Sequence, residues 1–188
     1  MRVIGGTLKK RKIPFQNKKF GGAETTPQKV KGALFSIIGE DLHNTAFLDL
    51  YACSGQIGIE AISRGAVAVM NEIDRRRFAH IQSLVREWNI EKYATVLNQH
   101  ASNCIRHLHS REMLFDYIFL DPPYIKQEDA HRYSIILGDL GKYPLLNDTG
   151  IIIIQHFSVN RMEEREGIFT VTDQRRYGST ALTFYGIA

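Results

Sequence analysis

The sequence predicts a doubly wound α/β sheet, and three observations carry that prediction. Short apolar runs of strand length alternate with helical segments between residues 46 and 156. Three of the runs end in carboxylates, Asp49, Glu72 and Asp121, at the positions where open α/β sheets bind their ligands. Two further runs, at residues 168–172 and 180–185, flank a Tyr177-Gly178 turn and read as an antiparallel pair at the sheet edge. The expected architecture is a mostly parallel, seven-stranded sheet with right-handed crossovers, an antiparallel C-terminal hairpin strand and a small N-terminal extension.

Taken in order, residues 1–15 alternate loosely and suggest a hairpin turning near Gly5-Gly6. Thr26 reads as a helix N-cap with Pro27 at the first helical position, and Val30, Ala33, Leu34, Ile37 and Ile38 form an apolar stripe closed by Gly39. Strands are expected at 46–51, 67–73, 95–98, 115–121 and 150–156. Helices are expected at 56–64, 75–88 (burying Phe78, Ile81, Leu84, Val85 and Trp88), 102–108 and 128–140. Residues 1–42 are read as a basic hairpin-and-helix extension, and 43–188 as the main domain.

Composition narrows the class. A chain of 188 residues has room for a real core, and two cysteines, Cys53 and Cys104, make neither a disulfide framework nor a metal-type spacing. A reducing cytoplasmic setting follows as the default. No apolar run approaches the roughly 20 residues of a membrane span. The net charge of +4 is uneven: residues 1–32 hold nine basic residues against one acidic, +8, and the remainder 15 against 19, −4. A split of this kind fits either a polyanion partner or a solvated arm.

The most informative stretch is Phe115-Asp116-Tyr117-Ile118-Phe119-Leu120-Asp121-Pro122-Pro123-Tyr124. Its apolar part suits a buried central strand, which the two prolines stop because neither donates to a ladder. Asp121, preceding a proline, is pushed toward extended geometry. One carboxylate, rigid carbonyls and an aromatic ring suit a flat, amine-bearing base. Asp121 and the Pro122 carbonyl accept the two amine hydrogens while Tyr124 stacks, a contact worth roughly 1–3 kcal/mol. The plainer alternative is a strand ending in a Pro-Pro turn with Asp121 as an ordinary turn residue.

The loop from Asp49 to Gly58 follows the first strand and opens a helix, where a nucleotide-bearing cofactor sits in such folds. It is neither a dinucleotide fingerprint nor a P-loop. Gly55 allows close backbone approach to a ligand, and Glu72 ends the second strand where a carboxylate binds ribose hydroxyls. The alternative is a tight strand–helix turn with a solvated Glu72. A ribose site without a phosphate cradle, beside an amine site, points to S-adenosylmethionine and methyl transfer.

The segments Asp49-Leu-Tyr-Ala-Cys-Ser-Gly55, Gly58-Ile-Glu-Ala-Ile-Ser-Arg-Gly-Ala66 and Asp121-Pro-Pro-Tyr124 resemble the amino-methyltransferases that modify exocyclic amines. The start Met1-Arg-Val-Ile-Gly-Gly6, the segment Val30-Lys-Gly-Ala-Leu-Phe-Ser-Ile-Ile38 and the ending Tyr177-Gly-Ser-Thr-Ala-Leu-Thr-Phe-Tyr185 narrow this. Together they resemble the bacterial 16S ribosomal RNA guanine-N2 methyltransferase family, the RsmD type, over almost the whole chain. That resemblance implies a Rossmann-like methyltransferase sheet, S-adenosyl-L-methionine as cofactor, and methylation of a guanine 2-amino group. It places Asp49, Tyr51, Cys53, Ser54 and Gly55 around the cofactor's methionine part, Glu72 on its ribose, and His100 and Ala101 near its adenine. It assigns Asp121, Pro122, Pro123 and Tyr124 to the target base. Ribosomal RNA or the small subunit is the implied partner, met through Arg2, Lys9, Lys10, Arg11 and Lys12, by a monomer. Three departures stand out: Cys53 where the family usually has glycine, Gln99-His100-Ala101 in place of an aspartate near the adenine, and Glu24-Thr25-Thr26 in place of an Arg-Pro-Thr run. The alternatives are an amino-methyltransferase of DNA or another RNA, and a non-catalytic cofactor-binding module that binds RNA.

Overall fold

A computed structural model describes residues 1–16, 20, 25–123 and 131–188, and of 131 and 132 the backbone alone. The helices are α1 (Gln28–Ile37), α2 (Gln56–Ser63), α3 (Arg75–Glu87), α4 (Ala101–His109) and α5 (His131–Lys142). The strands are β1 (Ala46–Asp49), β2 (Val67–Asn71), β3 (Ala94–Leu97), β4 (Phe115–Leu120), β5 (Leu146–Phe157), β6 (Arg165–Glu166), β7 (Phe169–Tyr177) and β8 (Thr180–Ile187). Among the described residues they form one sheet in the order β3-β2-β1-β4-β5-β8-β7-β6. The first five strands run parallel and the last three antiparallel. The sheet therefore has eight strands where seven were expected, because the two-residue β6 adds an outer edge beyond β7.

Alternate residues of the central strands face opposite layers, as the period of two requires. On one face Phe47, Ala68, Met70 and Phe119 pack with Leu34 and Phe35 of α1, Ile57 and Ile62 of α2, and Ile81 and Leu84 of α3. On the other, Leu48, Leu50, Val69 and Ile118 pack with Cys104 and Ile105 of α4 and Leu137 and Leu140 of α5. Register levels the strand ends. Asp49 lies opposite both Met70 and Phe119, so Glu72 and Asp121 each stand two residues beyond its level.

The N-terminal hairpin reduces to a single antiparallel bridge, Arg2 with Lys12. The segment lies across α2, whose Glu60 accepts the Ile4 N–H at 2.9 Å and the Gly5 N–H at 2.7 Å. Four expectations need correcting. Thr26 is not the N-cap of α1: Pro27 occupies that position, and the Thr26 hydroxyl is used elsewhere. The buried face of α1 is Val30, Lys31, Leu34 and Phe35, with Ile37 exposed. The helix is turned this way because the Lys31 ammonium meets Glu60 at 3.2 Å. Phe78 is only half-buried in α3. β5 begins four residues earlier than expected, at Leu146, with a register shift against β4. The start of the helix expected at 128–140 lies outside the described residues.

Candidate active site

Three carboxylates gather at the carboxyl ends of β1, β2 and β4. Asp49 is buried; its Oδ2 accepts the Gly58 N–H at 3.0 Å, and its Oδ1 has no partner among the described residues. Burial pushes this carboxyl up to about 8, against the Gly58 N–H, and the charges of Asp121 and Glu72 add to the rise. The three groups therefore feel one another. A buried acceptor of this kind is served by a cation or a strong donor.

The loop that follows turns on two left-handed residues, Cys53 at φ 50° and Gly55 at φ 75°. Glycine takes such a φ freely, whereas the cysteine is strained, and its N–H is fixed by donation to Glu72 Oε2 at 2.8 Å. Glu72 Oε1 accepts the Asp74 N–H at 2.8 Å, with the Arg77 guanidinium 3.8 Å away. Burial raises the Glu72 carboxyl, and the Asp74 N–H, Arg77 and the Cys53 N–H oppose that rise. The Cys53 thiol is pushed up to about 12, chiefly by burial, which makes it a neutral lining group and not a nucleophile. Ser54 is buried and Tyr51 half-buried beside it. Gly58 is a forced choice: a Cβ there would stand 2.4 Å from Met70 Cγ.

Asp121 follows β4. Its Oδ2 accepts from the Thr26 hydroxyl at 3.0 Å and from Gln155 Nε2 at 3.0 Å. Pro122 is buried and Pro123 exposed, and Tyr124 lies outside the described residues. At the end of β3, His100 is exposed and supplies the backbone N-cap of α4, while Ala101 begins the helix and is buried. The neighbouring Gln99 donates its N–H to Asn71 Oδ1 at 3.2 Å, and its buried Oε1 has no partner among the described residues. Among those residues no group of three or more His, Cys, Asp or Glu side chains could hold a metal ion.

Four contributors were missed. Thr26 was read only as a helix cap and as the last residue of the run that stands in place of Arg-Pro-Thr. Gln155 was visible as a polar residue at the end of the apolar run 151–154. Asn71 ties β1 to β3 through Leu50 O at 3.2 Å and Gln99 O at 3.1 Å. Ile73, directly after Glu72, is an apolar side chain left 60 % exposed. The basic residues Arg2, Lys9, Lys10, Arg11 and Lys12 are exposed on the N-terminal segment, with the Arg11 guanidinium 5.3 Å from the centre of the Trp88 ring.

The model of the family described as Conserved hypothetical protein 95 matches residues 1–186. The "Putative rRNA methyltransferase YlbH" of Bacillus subtilis is 32% identical over 188 residues, 98% of both chains. Ribosomal RNA small subunit methyltransferase D of Buchnera aphidicola (from Acyrthosiphon pisum) is 34% identical over 65% of this chain and 62% of its own length. Among solved structures, Thermus thermophilus hypothetical protein TTHA0928 superposes with a TM-score of 0.81 at 24% identity, over 100% of this chain and 99% of that one. An RNA methyltransferase from Salinibacter ruber, in complex with S-adenosyl-L-homocysteine, has a TM-score of 0.64 at 15% identity over 87% and 94%. The fold is thus the Rossmann-like methyltransferase fold, and the chain belongs to the Conserved hypothetical protein 95 family, the RsmD-type methyltransferases.

Proposed function

We propose that this protein transfers a methyl group from S-adenosyl-L-methionine to the exocyclic N2 amine of a guanine in small-subunit ribosomal RNA. The observation that carries the reading is the convergence of Asp49, Glu72 and Asp121 at three adjacent strand ends, with Asp121 at a Pro-Pro stop. Family membership and the rRNA methyltransferase relatives support the substrate class.

The residues present fit the cofactor. Asp49 Oδ1 is a buried acceptor awaiting a donor, which the ammonium of a methionine moiety supplies. Glu72 keeps lone pairs for ribose hydroxyls while its backbone partners hold it in place. Ile73 gives a flat ring an apolar wall, and Gln99 Oε1, in preference to the exposed His100, is the acceptor for the amine of an adenine. When bound, the cofactor would supply an electrophilic methyl group from its sulfonium centre, the S–CH3 bond breaking to leave a neutral thioether. Asp121 and the Pro122 carbonyl accept the two N–H hydrogens of the target amine, which turns its lone pair toward that methyl. As the N–C bond forms, Asp121 stabilises the positive charge growing on nitrogen, and the surplus proton passes to Asp121 or to solvent. A guanine within an RNA stack reaches this cleft by flipping out. Tyr124 stacks on it. The basic N-terminal residues contact phosphates and a single copy of the chain suffices.

The test uses purified protein, labelled S-adenosylmethionine and small ribosomal subunits lacking the modification, with duplex DNA in parallel, followed by nucleoside identification. N2-methylguanosine from the subunits alone is expected; methyladenine or methylcytosine from DNA would overturn the target. Asp121→Ala should abolish transfer while cofactor binding stays nearly intact, and loss of both together would remove Asp121 from its assigned role.

A further inference from the structure

Thr26 lies 95 positions before Asp121 in the chain, yet its hydroxyl donates to Asp121 Oδ2 at 3.0 Å. Gln155, near the end of β5, donates to the same oxygen at 3.0 Å. Two donors from separate elements, the segment before α1 and β5, on one carboxylate oxygen define the rotation of the carboxyl group about its Cβ–Cγ bond, which is otherwise broad. Both donors are buried, and Thr26 is held by a further bond. Thr26 and Gln155 are each 5 % exposed, and the Thr26 carbonyl accepts from Gln56 Nε2 at 2.9 Å. Gln56 follows Gly55 directly, so this bond reaches the first turn of α2 at the cofactor loop. Five residues after Thr26, Lys31 of α1 binds Glu60 of α2 at 3.2 Å. The start of α1 is thereby fastened to α2 at two points, one beside the cofactor loop and one in the buried core.

We propose that Thr26 and Gln155 are positioning residues for methyl transfer, orienting the Asp121 carboxylate toward the target amine and linking its orientation to the cofactor loop through Gln56. The proposal rests on the reaction proposed above. It gives the N-terminal segment a part in the chemical step, in addition to contact with nucleic acid. A carboxylate freed to rotate spends less time in the geometry that directs the amine lone pair, and that loss falls on the rate of transfer and not on binding.

The test compares Thr26→Val, Thr26→Ser and Gln155→Leu with the wild type in methyl transfer to unmodified small subunits, with cofactor affinity measured by calorimetry. Thr26→Val keeps the shape and removes the hydroxyl; Thr26→Ser keeps the hydroxyl. Thr26→Val and Gln155→Leu should each lower kcat on the order of tenfold to a hundredfold. KM for the subunit and Kd for the cofactor should stay within about twofold, and Thr26→Ser should retain most of kcat. An undiminished kcat in Thr26→Val, an equal loss in Thr26→Ser, or a loss confined to KM would overturn the proposal. If the wild type methylates a base other than guanine, the proposed target fails while the same comparison, run on that base, still decides the role of Thr26 and Gln155. Crystal structures of the wild type, Thr26→Val and Gln155→Leu give a readout that needs no substrate. A rotated Asp121 carboxylate in the variants supports the positioning role, and an unchanged one in both overturns it.

Discussion

The carboxyl of Asp49 shows how one buried side chain sets a pH dependence. Burial raises it from 3.8 to about 8, so in the folded chain it keeps a proton that the unfolded chain has lost. The native state then binds more protons than the unfolded state across that interval, and stability falls as pH rises through it. The contribution is complete below 3.8 and lost through about 8. Asp49→Asn should therefore gain on the wild type in thermal melts as pH is raised from 5 to 9, and parallel curves would contradict this assignment. In the proposed function, the bound ammonium ionises Asp49, so cofactor binding should release a proton near neutral pH, seen by calorimetry in buffers of different ionisation enthalpy. At this scale the sequence was legible where chemistry is local. Asp121 announced itself because an apolar run met two prolines. Thr26 did not, because its partner is fixed only when α1 docks against α2, and a threonine before a proline at a helix start is better known as a cap.

Among the elements, α2 is unusual in being buried at every residue from Gln56 to Ser63. The sheet covers one side, and α1 with the N-terminal segment covers the other. Gly6 is required by that close approach: a Cβ on it would stand 1.6 Å from Ser63 O, and its φ of 68° is strained for any side chain. Gly6→Ala should cost about 2 kcal/mol or more in denaturant unfolding, while an unchanged midpoint would show that the segment docks otherwise. The basic residues on the outer side of the same segment give a separate prediction. Replacing Lys9, Lys10, Arg11 and Lys12 with alanine should reduce the salt slope of RNA binding by about 3, without base preference; an unaltered slope would remove them from the contact. The stripe of α1 was misread for a physical reason. Periodicity alone turns a lysine outward, and only the buried Glu60 of another helix explains why Lys31 and Phe35 face in.

Across the whole molecule the parallel half was legible because strand, helix and carboxylate recur in sequence at the spacing of βα units. The chain runs outward from β1 through β2 to β3 at the edge, and then crosses back to β4 on the far side of β1. Crossovers on either side of β1 place α2 and α3 on one face and α4 and α5 on the other, and the cleft opens where they diverge. The antiparallel half was less legible. Its hairpin was expected, but its outer strand β6 is two residues long and too short to show a period.

β8 is the last strand in chain order, yet it lies between β5 and β7. Leu182, Thr183, Phe184 and Tyr185 are all buried within it. During synthesis the amide row of β5, running beside Ile152, Ile153 and Ile154, stays unpaired until β8 has left the exit tunnel. For that interval a nascent chain otherwise ready to fold presents an open apolar strand edge, the kind of surface that neighbouring chains extend and chaperones shield.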